Sequence, residues 1–149
     1  MKLKMTQEEK MLLIKDLSAR LPYAVTVEHT SGFRGTLHDI TIHHMYDNND
    51  NVYDAICYTD FFGDEDDVYI EYFKPYLFPL SSMTEEQKND CPIGETNLNI
   101  IKSNIGYGII EIPWQLSYLF IDWLNKNQFD YRGLIEKGLA IDATGLNIY

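Results

Sequence analysis

Basic residues are scarce in this chain: twelve Lys and Arg stand against twenty-three Asp and Glu, a formal net charge of −11. A surface so poor in cations is badly equipped to displace the counterions of a phosphate backbone, which disfavours direct nucleic-acid binding. Adhesion to anionic membranes is disfavoured for the same reason. Long apolar runs are lacking too, and no window approaches the roughly 18 residues of a membrane span. The opening Met1 to Met5 is short and basic and runs into TQEEK, so no export or transit segment is expected. Cysteine is nearly missing. Cys57 and Cys91 stand far apart, with no CxxC spacing and no paired His. That argues against a disulfide framework and for two buried thiols in a reducing cytoplasm.

Signatures of catalysis are missing as well. Ser81-Ser82 lies in no GxSxG elbow, Cys57 falls in an apolar strand where a thiol is inert, and there is no P-loop. Gly106-Tyr-Gly108 lacks the third glycine and the strand-to-helix setting of a dinucleotide fingerprint. Asp47-Asn-Asn-Asp-Asn51 offers oxygen ligands at alternate positions, as a calcium loop does. Its sixth position, which requires glycine, is Val52, and its twelfth, which requires a bidentate Glu, is Tyr58. A polar hairpin turn is the better reading. His29, His38, His43 and His44 sit on two expected strands without HxxxH spacing or nearby Cys, so zinc is not expected. No catalytic residue, metal or cofactor is expected from these patterns.

What is present is an ordinary globular chain with unusual aromatic weight. It has 149 residues, enough for one domain with its own core, and 45% are apolar. Eleven Tyr, seven Phe and two Trp suit half-buried strands, where a tyrosine ring packs while its hydroxyl stays wet. Thr6-Gln-Glu-Glu9 reads as a capping box opening a helix whose Met11, Leu13, Ile14, Leu17 and Leu21 form one apolar face. Pro22 ends it. Strands are expected over 23–29, 33–44, 52–59 and 68–73, with Ser31-Gly32 turning the first pair. Asp39 breaks the alternation after Leu37, which points to a bulge. Lys74-Pro-Tyr-Leu-Phe-Pro-Leu80 carries two prolines and is expected to leave the sheet. A second capping box at Thr84 opens a short helix ending by Cys91-Pro92, a hairpin is expected within 97–112, and the apolar stripe of 113–127 makes a last helix. The expectation is a single α+β domain over 1–149. Its sheet would be a strongly bent antiparallel meander, SH3-like or a small partly open barrel, packed with N- and C-terminal helices.

Two stretches stand out as candidate partner-binding surfaces. The first is the acidic run Asp64, Glu65, Asp66 and Asp67, within a stretch from Met45 to Phe73 that has no Lys or Arg. Such crowding of like charge is either well solvated or matched by a basic partner. The second is the tail, where Tyr131 and Arg132 beside Asp130 form a possible anchor set. The competing reading of the tail is structural, with Phe129, Leu134, Ile135 and Leu139 closing the core and Asp130 pairing with Arg132.

Three blocks carry a resemblance. They are Thr6 to Lys10 with Leu17 to Tyr23, Lys74 to Gln87, and Trp123 to Asn125 with Phe129 to Ala140. Together they resemble a group of small uncharacterised proteins of gut Bacteroidales genomes and their phages and mobile elements. The resemblance implies a bacterial or phage cytosolic setting and Met5 as an alternative start, and it gives no residue a role. The leading functional expectation is a non-enzymatic interaction or accessory module binding another protein through its sheet edge or acidic loops. The alternatives are an acidic charge mimic inhibiting a nucleic-acid-binding enzyme, which needs one continuous acidic face, and a small ligand-binding protein or hydrolase, which needs a deep pocket.

Overall fold

The computed structural model describes residues 4–47, 50–60, 68–94 and 114–149. The first helix, α1 (Gln7–Arg20), starts at the expected capping box: Glu9 N–H donates to Thr6 Oγ1 at 3.1 Å and Thr6 N–H to Glu9 Oε2 at 2.8 Å. A single 3₁₀ turn over Leu21–Tyr23 takes Pro22 in its first turn and ends at Ala24 in the left-handed region. β1 (Thr26–His29) and β2 (Arg34–Asp47) follow, joined through Gly32 at φ +91°, a conformation that costs glycine little. β3 (Asp50–Thr59) runs back along β2 from Asp47↔Asp50 to Leu37↔Thr59. The register slips between Leu37 and Asp39, at the expected bulge.

The strand expected over 68–73 is replaced by an isolated bridge, Ile56↔Tyr69, and a 3₁₀ turn over Ile70–Tyr72. β4 is Phe73–Pro79, the very segment its prolines were expected to remove from the sheet. The reason lies in the register. β4 pairs with β1 through Val27↔Pro75, Glu28↔Lys74 and His29↔Phe73, and Tyr72 C=O accepts from Thr30 N–H. Even-numbered residues therefore turn their peptide groups to β1, and Pro75 turns its nitrogen to the opposite edge, where no β1 bond is lost. The order β3-β2-β1-β4 also replaces the meander, because the fourth strand returns beside the first in a Greek-key arrangement. Two short parallel strands complete an open, mixed, six-stranded sheet: β5 (Phe129–Asp130) and β6 (Ile141–Asp142), both on β4.

A 3₁₀ turn at Leu80–Ser82 leads to α2 (Glu85–Asp90), capped by Thr84 as expected, and α3 spans Trp114–Lys126. The hairpin expected within 97–112 lies outside the described residues. No helix among the described residues is long and apolar enough to cross a membrane.

β4 is packed from both sides. Phe73 and Leu77 join Leu13, Ile14 and Leu17 of α1 in one core that also holds Val27, Leu37, Ala55, Cys57 and Leu134. Phe78 packs on a second cluster of Met83, Cys91, Ile93, Phe120, Trp123, Leu124 and Phe129. Trp123 stacks at 5.6 Å from Phe129, so ring contact fastens α3 to β5. Each fully buried Leu or Phe adds about 1.5–3 kcal/mol relative to exposure.

Candidate functional site

Charged side chains lie at the junction where α1 meets the chain after β5. Asp16 and Arg20 are one helical turn apart on α1, and both are 0% exposed. Arg20 donates to Asp16 through Nε (2.8 Å) and Nη2 (3.0 Å), and Nη2 also donates to the Phe129 carbonyl at 2.7 Å. The i, i+4 spacing places the pair on one helix face, and the fork geometry of guanidinium matches the carboxylate. One charge-assisted network therefore fixes α1 to β5.

Tyr131 and Arg132 sit on top of this pair, both half-buried. The Arg132 guanidinium lies 4.9 Å from the Tyr131 ring centre and the Arg20 guanidinium 5.5 Å from the same ring, within cation–π range. Arg132 Nη2 donates to the Tyr131 hydroxyl at 3.1 Å, and that hydroxyl donates to Asn125 Oδ1 at 2.9 Å. Arg132 Nε stands 3.3 Å from Asp16 Oδ1, close enough for charge attraction but not aligned for a hydrogen bond. The Arg132 side chain remains 27% exposed. The result is a ledge on which a planar cation is held by an aromatic face, a hydroxyl and a buried carboxylate.

The expected Asp130–Arg132 pair does not form. Asp130 instead accepts from the backbone N–H groups of Leu134 and Ile135, both at 2.9 Å, and so builds the next turn. Arg132 pairs with Asp16, some hundred residues away in sequence, a partner that local pattern had no means to indicate. The apolar part of the structural reading holds: Phe129, Leu134 and Leu139 are buried and Ile135 packs on the first core. The acidic run Asp64 to Asp67 lies outside the described residues.

A second buried ionic group joins α1 to β3. Lys10 Nζ lies 2.7 Å from Glu71 and 3.5 Å from Asp54, and Lys10 and Glu71 are almost fully buried. Asp54 Oδ1 also accepts from Ala55 N–H at 2.9 Å. Because Cys57 N–H turns outward to Val68 C=O, Ala55 N–H turns outward too, and Asp54 covers that part of the sheet edge. The sheet edge suggested by sequence is thus closed from Ala55 to Cys57. Burial, reinforced by the negative charges of Asp54 and Glu71, pushes the Cys57 thiol up to about 12, the mark of an inert cysteine.

His29 Nδ1 lies 2.6 Å from Ser31 Oγ and accepts from Ser31 N–H at 3.1 Å. Burial lowers the pKa of His29, and its ring stacks on Tyr72 at 5.6 Å. This is a local turn contact between residues two apart, in which Nδ1 accepts from the Ser31 backbone. A groove of about 520 Å³ runs along α1 beside Lys137, but Thr6 and Glu9 in its wall are engaged in the helix cap. Among the described residues no group of three or more His, Cys, Asp or Glu is placed to hold a metal ion.

Comparisons with protein-family models, with curated proteins and with solved structures gave no match.

Proposed function

We propose that the chain is a non-enzymatic protein-interaction module whose docking point is the Tyr131–Arg132 ledge. The observation that supports this is the fixing of Arg132 at the surface. Its guanidinium rests on Tyr131 and over Asp16 while the side chain stays 27% exposed. A free arginine loses about 2 kcal/mol of rotamer entropy when a partner immobilises it, and here the fold has already imposed that order. Pre-ordered aromatic and arginine side chains are the usual energetic centres of interfaces. The groups assembled on the ledge are guanidinium, phenol and amide, which recognise rather than transform.

The acidic run Asp64 to Asp67 belongs to the same reading as a second contact for a basic region of the partner. The partner is another protein, not nucleic acid, in keeping with the net charge of −11. A cytoplasmic setting, in a bacterium or phage-infected cell as the sequence resemblance implies, accords with two buried cysteines that form no disulfide. The strongly bent, SH3-like form of the sheet is also part of the proposal. The Ile56↔Tyr69 bridge, by which the chain entering β4 touches β3 again, supports it.

The test is selection of displayed peptides on the wild-type protein, followed by affinity measurement on Arg132→Ala. Asp16 keeps both of its bonds to Arg20 in that variant, so the fold survives, and matched thermal unfolding curves confirm it. Selected peptides weaken about tenfold or more on Arg132→Ala, as expected of an interface centre. Peptides that bind both proteins equally, or a selection that yields none, refute the proposal.

A further inference from the structure

The charges beneath the ledge do not balance. Two guanidiniums, Arg20 and Arg132, share one carboxylate, Asp16. Both Asp16 oxygens are already engaged by Arg20. Arg132 Nε is left without a hydrogen bond, and so is Arg20 Nη1, which is fully buried. The other described contacts of Arg132, the Tyr131 ring and hydroxyl, are neutral. The junction therefore carries an excess of one positive charge and two unfilled donors, in a chain that is otherwise strongly acidic. Both donors are closed off from the surface, and the uncompensated charge reaches it only through the exposed part of Arg132.

We infer that the ledge reads a carboxylate, specifically an Asp or Glu side chain of the partner protein, seated against the open edge of the Arg132 guanidinium. This inference rests on the docking role proposed for Tyr131 and Arg132. Guanidinium and carboxylate are planar and match in a fork of two parallel bonds, and the Arg20 guanidinium lies 5.5 Å from the same Tyr131 ring. A chain-terminal carboxylate is a poorer fit, because such groups are captured with backbone amides as well. Here the nearby amides of Leu134 and Ile135 are already bonded to Asp130.

The experiment uses short peptides, N-acetylated and C-amidated, that differ only in one central residue: Glu, Gln or Lys. The Arg132 Nε–H resonance and the Tyr131 ring resonances of the full chain are followed by NMR during titration. The Glu peptide is expected to move them saturably, at an affinity that falls with added salt, while the Gln and Lys peptides leave them in place. Arg132→Lys keeps the charge but loses the fork, and is expected to weaken the Glu peptide about tenfold or more. Equal binding of the Glu and Gln peptides, or wild-type affinity in Arg132→Lys, overturns the inference. A Gln peptide that binds only when its own C-terminus is left free also overturns it, in favour of a terminal carboxylate. If the Glu peptide fails while selected peptides still require Arg132, the ledge reads another group and docking stands. If no peptide requires Arg132, both fall.

Discussion

Tyr149 donates its phenolic hydrogen to the Tyr76 carbonyl at 2.7 Å, and it stands where the β1–β4 ladder should close. The register that pairs Val27 with Pro75 puts Thr26 opposite Tyr76 as the next bonded pair. Instead, Thr26 N–H donates to the Tyr149 oxygen at 3.1 Å, and the phenol bridges the two strands. The ring leans on Phe78 at 5.9 Å, so the Tyr149 side chain is built into the edge of the ladder.

Tyr149→Phe removes the bridge and leaves one N–H and one C=O to water. A loss of about 1 kcal/mol is expected from urea unfolding. The pH dependence adds a second signature. Burial raises the Tyr149 hydroxyl from 10.0 to about 12, so the folded state holds a proton that the unfolded chain releases. Its contribution is complete below pH 10 and is lost as the pH rises toward about 12. The stability gap between wild type and Tyr149→Phe should narrow over that window. A gap that stays constant argues against a phenol that bridges the two strands.

The Asp16–Arg20 pair is expected to respond asymmetrically. Asp16→Leu or Arg20→Met alone strands a buried charge and costs about 3–5 kcal/mol, whereas the two together cost markedly less than the sum. Chemical denaturation of the three variants gives the coupling. Simple additivity would mean that the two side chains do not act as a unit.

Lys10 serves two carboxylates, so its loss is more costly than the loss of either one. Lys10→Met leaves Glu71 and Asp54 facing each other and is expected to cost about 3–5 kcal/mol, with Glu71→Gln well below that. The reverse order in thermal unfolding would show that Lys10 is not the organising charge.

Cys57 tests the packing of β3 against α1. A thiol raised from 9.0 to about 12 by burial and by Asp54 and Glu71 presents almost no thiolate near neutral pH. Its contribution to stability, like that of Tyr149, is present below pH 9.0 and lost as the pH rises toward about 12. Iodoacetamide should therefore label Cys57 only in proportion to the unfolded fraction, and labelling should rise with urea along the unfolding curve. Rapid labelling of the folded protein would contradict the burial.

Local signals in the sequence were reliable where the physics is local. The capping boxes at Thr6 and Thr84, the Ser31-Gly32 turn and the bulge after Leu37 all stand where residue type requires them. The Lys74 to Pro79 segment stays in the sheet against its composition because proline's cost depends on which edge its nitrogen faces, and register decides that, not sequence. The meander became a Greek key for a similar reason, since the choice between β3 and β1 as neighbour of β4 is made by long-range packing of Phe73 and Leu77. At the site, Tyr131 and Arg132 were legible as an aromatic–arginine pair. Asp16 and Arg20 were not, because charged residues on an amphipathic helix normally face water and nothing local marks them as buried.

Pre-ordering of Arg132 is the claim on which the docking proposal depends, and side-chain relaxation reports it directly. In the free protein, the Arg132 Nε–H order parameter is predicted to approach that of rigid backbone, about 0.85. An Arg132 value below about 0.6 would describe a freely moving side chain, and would contradict a ledge built in advance of its partner.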